Sequence, residues 1–137
     1  MKKTLPLAAF VLAAAALAPA HVLAQGAERV TPAFREAIPN LPGKSLVAVV
    51  VEYAPGAASP PHTHARSAFI YGYVLSGAIE SQVDDGPVRV LHEGDSFEER
   101  PGARHAVSRN ASKTAPARLL AVFVVDTDDT VLTTPLH

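Results

Sequence analysis

The pair His62 and His64 is the part of this sequence that points most directly to chemistry. Residues two apart on an extended strand point to the same face, so both imidazoles can reach one ion. Pro60 and Pro61 stiffen the chain just before the pair, which lowers the entropy lost when the ligands are fixed. His105 follows a Pro-Gly turn and can return beside the pair on a later strand. Three imidazoles favour one divalent transition metal (Fe, Mn, Ni, Cu or Zn) over Ca or Mg.

Glu99 is the nearest carboxylate that could join these histidines. It lies six residues before His105, and period-two alternation puts it on the same strand face as Phe97. If Phe97 faces the interior, Glu99 does too. Two alternatives follow: Glu99 is a fourth metal ligand, or water and substrate complete a three-histidine site, because catalytic metal sites keep open positions.

The elements that must position these residues are strands. From Ser45 onward, short runs of Val, Ile, Leu, Tyr and Phe alternate with clusters of Gly, Pro, Asp and Asn. Asp84-Asp85-Gly86 and Glu93-Gly94-Asp95 are compact reversals. Many short strands with hardly any helix favour a sandwich or closed barrel in a single all-β domain. The pattern predicts strands near 45–53, 62–64, 68–76, 78–83, 87–92, 96–100, 104–108 and 117–126.

The first 24 residues have the pattern of an export signal. Two lysines precede an almost wholly apolar run over residues 5–17, which is too short to span a membrane, and Val22-Leu23-Ala24 offers a cleavage site before Gln25. We expect residues 1–24 to be a signal peptide and the mature protein to be periplasmic, with no stable membrane span after cleavage.

The rest of the chain divides into an arm, a barrel and a tail. Residues 25–44 form an N-terminal arm, in which Thr31 as a cap and Pro32 at the first helical position predict a short helical turn over 31–36. Residues 45–126 form the barrel. Residues 127–137 are polar and rich in Thr, and we expect them to be a loosely held end.

Composition excludes several classes of protein. The chain has 137 residues with 12 basic and 13 acidic side chains, and loss of Lys2 and Lys3 with the signal makes it more acidic still. A nucleic-acid partner is therefore not expected, because it would require a basic face. The sequence has no cysteine, which rules out disulfide bonds and any thiolate nucleophile or ligand.

The order and spacing of these features resemble the two motifs of the cupin superfamily. The first cupin motif runs Gly, five residues, His-x-His, three or four residues, Glu, six residues, Gly; here Gly56 precedes His62-Thr63-His64 at that spacing and Gly77 closes the motif. In the second motif, Gly94 opens the stretch, and Gly102 and His105 fall at the expected positions. The resemblance implies a jelly-roll β-barrel that binds one metal ion through His62, His64 and His105.

The sequence departs from the cupin pattern where the first motif should have its glutamate. Counted forward from His64, the position expected for the glutamate is occupied by Phe69. Counted back from Gly77, it is occupied by Ile70. In the second motif, Arg100 occupies the position expected for proline, and Asn110 lies one residue beyond the position expected for asparagine. The absent glutamate leaves the fourth ligand and the identity of the metal open.

The resemblance implies two functions that the residues do not separate. Small cupins include dioxygenases, isomerases and decarboxylases, as well as non-enzymatic binders of small molecules, and fold alone does not choose among them. One expectation is a metal-dependent oxygenase-type enzyme that acts on a small organic, anionic molecule. The other is a periplasmic binding or sensing module with a structural or ligand-fixing metal. A homodimer is expected from the exposed strand edges and apolar sheet faces of such barrels.

Overall fold

The computed structural model describes residues 27–137, so the predicted signal peptide lies outside the described residues. This part of the chain is built from strands and turns, and it has no helix long and apolar enough to cross a membrane. Its elements, in chain order, are β1 (Glu28–Ala37), β2 (Lys44–Tyr53), β3 (Ala58–Ser59), β4 (His62–His64), β5 (Phe69–Ser76), β6 (Ala78–Val83), β7 (Arg89–His92), β8 (Ser96–Glu99), β9 (Arg104–Asn110), β10 (Ala117–Asp126) and β11 (Thr133–Pro135).

The strands form two antiparallel sheets that face each other. The first sheet has the order β1-β2-β10-β5-β8, and the second has the order β11-β4-β9-β6-β7, with β3 also paired to β9. Neighbouring strands in each sheet are mostly distant in sequence, because the chain passes repeatedly from one sheet to the other. This arrangement is a jelly roll, and it confirms the all-β barrel predicted from the sequence.

Each strand predicted from the sequence is present. The predicted and observed strand ends agree closely because the turns between the strands have clear local signals. Gly77 separates β5 from β6 with a φ of 73°, and a side chain there would meet the Pro116 carbonyl oxygen at 2.7 Å. Only glycine fits both demands. Asp84 also has a left-handed φ of 51°, as expected for an Asp in a tight reversal.

The helical turn predicted over residues 31–36 is wrong, because these residues lie in β1. The strand pairs with β2 from Glu28 opposite Tyr53 to Ala37 opposite Ser45, with a register shift between Pro32 and Phe34. The hydrogen bond of one capping hydroxyl stabilises a helical turn less than the backbone hydrogen bonds of nearly ten residues along the free edge of β2 stabilise a strand. Proline is accepted because β1 is itself an edge strand, where a missing N–H need not break a ladder.

The prediction that the tail is loosely held is also wrong, because the tail contains β11. Thr133 pairs with His64 and Pro135 with His62, so the tail lies along the outer edge of the strand that bears both histidines. The Leu136 amide donates to the Pro61 carbonyl at 2.9 Å. The free edge of β4 provided unpaired backbone groups, and a Thr-rich segment can adopt the extended conformation that satisfies them.

Candidate metal centre

The backbone fixes the orientation of both histidines of β4. His62 Nδ1 lies 2.8 Å from the Pro60 carbonyl oxygen, and His64 Nδ1 lies 3.0 Å from the Leu132 carbonyl oxygen. A carbonyl oxygen can only accept, so each Nδ1 carries the proton and each Nε2 of the neutral ring carries a lone pair. The two Nε2 atoms are 3.2 Å apart. Both rings therefore direct a metal-binding lone pair to the same place.

His105 approaches this place from the neighbouring strand β9. It is the register partner of His62 and is only 3% exposed. Its Nε2 lies 2.9 Å from Ser81 Oγ, and its Nδ1 lies 3.2 Å from Glu99 Oε1. One nitrogen from each of the three histidines lies within 4.8 Å of the others. The three residues singled out in the sequence are thus brought together in a position to bind one metal ion.

Glu99 completes this cluster from the opposite sheet. Its side chain is buried, with Oε2 3.4 Å from His64 Nε2 and Oε1 facing His105. Phe97, two residues earlier on β8, lines the same cavity, which confirms the predicted alternation. Glu99 Oε2 has no hydrogen-bond donor among the described residues. A buried carboxylate oxygen without a donor is costly unless a cation faces it.

The position of Glu99 also accounts for the glutamate that the first cupin motif lacks. Ile70, the residue at the motif position counted back from Gly77, is the register partner of Glu99 across β5 and β8. Side chains of such partners lie on the same face of the sheet, about 5 Å apart. The carboxylate therefore reaches the site from the adjacent strand. Counting along a single strand cannot find a residue placed in this way.

The donor atoms fit a metal ion. Ligand atoms about 2.0–2.2 Å from one ion lie roughly 3.0–3.5 Å from one another. The separations of 3.2 Å between the two Nε2 atoms, 3.4 Å from Glu99 Oε2 to His64 and 3.2 Å from Glu99 Oε1 to His105 fall in that range. The three histidine nitrogens as a set span up to 4.8 Å, so they must move slightly inward to share one ion. In addition, His62 Nε2, His64 Nε2 and Glu99 Oε2 are all acceptors, and they repel one another without a cation between them.

The protonation states of the cluster also suit a metal. Burial lowers the pKa of His62, although its hydrogen bond to Pro60 opposes the shift. Burial by itself would raise the pKa of Glu99, but hydrogen bonds and positive charge from His105 and His64 in their protonated forms outweigh it and hold that pKa at about 2. Near neutral pH, His62 is therefore neutral and Glu99 is ionised, which are the forms in which these side chains bind metal.

The cluster lies in a cavity of about 130 Å³ between the two sheets. The first sheet supplies mainly aliphatic and aromatic walls, and the Phe123 ring packs edge-on against His64 with centroids 5.3 Å apart. Glu28 and Val30 of β1 line the cavity and are exposed, so the cavity reaches the surface along β1. A small organic molecule could enter there. The apolar lining residues are Val30, Val49, Val51, Ile70, Phe97, Leu119, Ala121 and Phe123.

Among the described residues, His92 and Arg104 lie outside this cluster. His92 is 72% exposed and lies beside Asp95, as expected for a solvated histidine. Arg104 pairs with Asp85 on the surface. Sequence reasoning missed two contributors: Ser81, which contacts His105, and the Leu132 carbonyl, which orients His64. The alternation along β6 could have indicated Ser81, but no local signal identifies a backbone carbonyl 68 residues away.

Comparison with known proteins agrees with the fold. Residues 49–123, more than half of the chain, match the cupin domain family. The protein is therefore a member of the cupin family. An uncharacterized conserved protein with a double-stranded β-helix domain from Klebsiella pneumoniae subsp. pneumoniae MGH 78578 has a similar structure, with a TM-score of 0.61 and 22% identity over 76% of this chain and 82% of that one.

Two relatives carry names that describe an activity. The cupin-domain-containing oxidoreductase fogC of Aspergillus ruber (strain CBS 135680) is 31% identical over 78 residues, which cover 57% of this chain and 37% of that protein. An oxalate oxidase solved in complex with the substrate analogue glycolate is 25% identical, with a TM-score of 0.57 over 74% of this chain and 52% of that one. The chain spans less than half the length of the curated relatives it matches.

Proposed function

We propose that this protein is a metal-dependent oxidoreductase that acts on small organic anions. One divalent transition metal is held by His62, His64 and His105, with Glu99 as the fourth ligand. The observation that carries the proposal is the convergence of three oriented imidazoles and an ionised, donor-free carboxylate oxygen inside a cavity with apolar walls. The names of two relatives support a redox reaction, because one is an oxidoreductase and another an oxidase.

The charge of the site supports an anionic substrate. Three neutral imidazoles and one carboxylate offset a single charge of a divalent ion, which leaves one positive charge for whatever occupies the open positions. Carboxylates and enolates meet that requirement. The metal supplies Lewis acidity or redox chemistry when bound, while the protein positions the substrate and keeps bulk water away with the side chains of Ile70, Leu119 and Phe123.

Elemental analysis of the purified protein and its variants tests the ligand set. The wild type should contain one transition metal ion per chain, and His62→Ala, His64→Ala and His105→Ala should each lose it while the β-sheet circular dichroism signal remains. His92→Ala is the matched control, because His92 is exposed and outside the cluster. If the variant with all three histidines replaced by alanine keeps metal at the wild-type ratio, these histidines do not bind the metal.

Replacement of Glu99 separates the two ligand sets left open by the sequence. Glu99→Gln keeps the volume of the side chain but removes its charge, so a four-ligand site should lose metal affinity strongly, with Glu98→Gln on the outer face as the control. Loss of an outer-shell partner typically costs about 10- to 100-fold in metal affinity, and loss of a ligand should cost at least as much. Unchanged affinity in Glu99→Gln would instead favour three histidines with solvent in the fourth position.

Oxygen consumption tests the reaction itself. Protein loaded with iron, manganese, copper, nickel or zinc is mixed with small carboxylates and enolisable ketones, and oxygen uptake and product are followed. Turnover that disappears in His62→Ala supports the oxidoreductase. If these compounds bind but are not converted with any of the metals, the oxidoreductase proposal fails and the non-enzymatic binding or sensing module takes its place.

We also propose that the protein acts after export to the periplasm, on the basis of the N-terminal sequence. The two lysines, the apolar run over residues 5–17 and Val22-Leu23-Ala24 support this proposal. The intact mass of the protein recovered from the periplasm should correspond to a chain beginning at Gln25. Full-length chain in the inner membrane would contradict it.

The outer face of the first sheet supports a homodimer as the functional state. Register places nine apolar side chains on this face in three rows across β2, β10 and β5, with charged pairs Glu52–Arg118 and Lys44–Asp126 at its two ends. An apolar centre with a charged rim is typical of an interface, and a second copy can present the same rows about a two-fold axis. The rows are Leu46–Val124–Phe69, Ala48–Val122–Tyr71 and Val50–Leu120–Tyr73.

Light scattering of the purified protein tests this interface. The wild type should have twice the mass of the chain, and Val122→Lys, at the centre of the face, should be monomeric. Val90→Lys is the control, because Val90 is exposed on β7 of the other sheet. A monomeric wild type would refute the proposal.

A further inference from the structure

A chain of hydroxyl groups connects the interior of the metal-site cavity with its exposed edge. The Tyr53 hydroxyl lies 2.8 Å from Ser108 Oγ and 2.7 Å from Ser59 Oγ, and Ser59 in turn donates to Glu28 Oε2. Tyr53 and Ser108 are buried, with 1% and 4% of their surface exposed, whereas Glu28 is exposed. All four side chains line the cavity.

The hydrogen bonds of this chain run in one direction. An ionised carboxylate can only accept, so Ser59 uses its single proton to reach Glu28. Ser59 must then accept from Tyr53, and Tyr53, having donated its only proton, must accept from Ser108. Every hydroxyl donates toward Glu28. Ser108 Oγ, at the inner end, keeps lone-pair capacity for a donor in the cavity.

Strand register places the inner end of this chain beside the metal centre. Ser59, Ser108 and Ser81 are register partners on the adjacent strands β3, β9 and β6, and partners in register present their side chains on the same face. Ser81 Oγ contacts His105 Nε2 at 2.9 Å. The hydroxyl row therefore extends from a proposed metal ligand to the residue where the relay begins.

We propose that Ser108, Tyr53, Ser59 and Glu28 form a proton relay that removes a proton from an acidic ligand bound at the metal centre. The ligand O–H bond breaks as its proton passes to Ser108 Oγ. The Ser108 proton passes to Tyr53, the Tyr53 proton to Ser59 and the Ser59 proton to Glu28 Oε2. The ligand becomes an anion beside the cation, each hydroxyl regains a proton, and Glu28 becomes a carboxylic acid that releases its proton to solvent.

The surroundings of Tyr53 suit a relay group that stays neutral. Burial raises the pKa of Tyr53, opposed by its hydrogen bonds to Ser108 and Ser59, so the phenol keeps its proton at neutral pH. Glu28 suits the outer end because it is in contact with solvent at the edge of the cavity. The relay deepens the proposed function, since it requires the metal centre to bind a ligand that can lose a proton.

Stopped-flow measurement of acetohydroxamic acid binding to cobalt(II)-loaded protein tests the relay. The cobalt visible absorption reports ligand binding, and a pH indicator in weak buffer reports proton release. Glu28→Gln keeps an acceptor for Ser59 but cannot take up a proton, so proton release should slow by about 100-fold, the lower end of what a positioned general base contributes. The equilibrium affinity should be retained, because a relay changes the route of the proton and not the end states.

Paired variants separate a relay from a structural role. Ser59→Ala should slow proton release like Glu28→Gln, whereas Ser59→Thr retains a hydroxyl and should restore the rate. Glu36→Gln is the matched control, because Glu36 is another exposed glutamate of β1. Wild-type rates in both Glu28→Gln and Ser59→Ala would overturn the relay alone. A protein that takes up no cobalt would overturn the metal centre, and the relay with it.

Discussion

The two inner walls of the barrel are equally well buried but differ in chemistry. The wall formed by β2, β10 and β5 is aliphatic and aromatic, with Val47, Ile70 and Phe123 almost completely covered. The wall formed by β4, β9 and β6 is rich in buried polar side chains: His62, His105, Ser81, Ser108 and Asn110. Glu99 crosses this division, because it lies on the apolar sheet and directs a carboxylate at the histidines. One wall therefore mainly stabilises the barrel, while the other holds most of its chemistry.

The polar wall tolerates burial because its groups have specific partners. The Asn110 amide donates to the carbonyl oxygens of Ala54 and Ala115 at 3.1 Å and 2.8 Å, and its Oδ1 accepts from the Ser112 amide at 2.8 Å. Such contacts are directional, whereas the apolar wall depends on filled volume. The two walls should therefore respond differently to substitutions that conserve volume.

The largest effect is expected on the apolar wall. Phe123→Ala removes a buried ring that packs against both the core and His64, so metal-free protein should lose about 3–5 kcal/mol of unfolding free energy in urea titrations. Phe123→Leu, which keeps most of the volume, should lose clearly less. Equal losses in the two variants would mean that volume does not govern this wall.

Asn110 is the corresponding test of the polar wall. Asn110→Asp conserves volume but replaces the donating amide with an acceptor that faces two carbonyl oxygens, and it should cost about 3 kcal/mol, since each buried polar group left unsatisfied costs about 1–3 kcal/mol. Ile70→Leu, a volume-conserving change on the other wall, should cost less than about 1.5 kcal/mol. If urea titrations show a larger loss of unfolding free energy in Ile70→Leu than in Asn110→Asp, the proposed difference between the two walls is wrong.

Metal should stabilise the barrel through the histidines of the polar wall together with Glu99. At 100 times its dissociation constant, an ion that binds only the folded state adds about 2.7 kcal/mol to the unfolding free energy. This increment should vanish in His105→Ala and persist in His92→Ala, as measured by thermal or urea unfolding with and without metal. An increment that survives in His105→Ala would place the bound ion elsewhere.

The last effect concerns acid. Because the pKa of Glu99 is lowered from 4.5 to about 2, its ionised form stabilises the folded state above pH 4.5, and that contribution is lost as the pH falls toward 2. Over this window, the unfolding free energy of metal-free wild type should fall more steeply than that of Glu99→Gln, by up to about 1.4 kcal/mol per pH unit for one proton. Glu98→Gln should keep the wild-type slope.

Local sequence patterns were enough to predict the strands and the histidine pair. Alternation along His62-Thr63-His64, the apolar runs and the glycine at position 77 are local signals, because side-chain direction in a strand and φ in a turn depend on near neighbours. The interior placement of Glu99 followed from the same rule applied to Phe97. These predictions hold in the structure because no tertiary contact opposes the local preferences.

The contacts between residues distant in sequence could not be predicted, because they depend on which strands pair. Residues 31–36 are a strand and not a helical turn because β2 had a free edge, and the tail became β11 because β4 had one. Glu99 reaches the histidines because β8 pairs with β5, and the proposed relay runs from Glu28 to Ser108 through residues on four strands. Strand pairing sets each of these contacts, and the sequence carries no local mark of which strand will lie beside which.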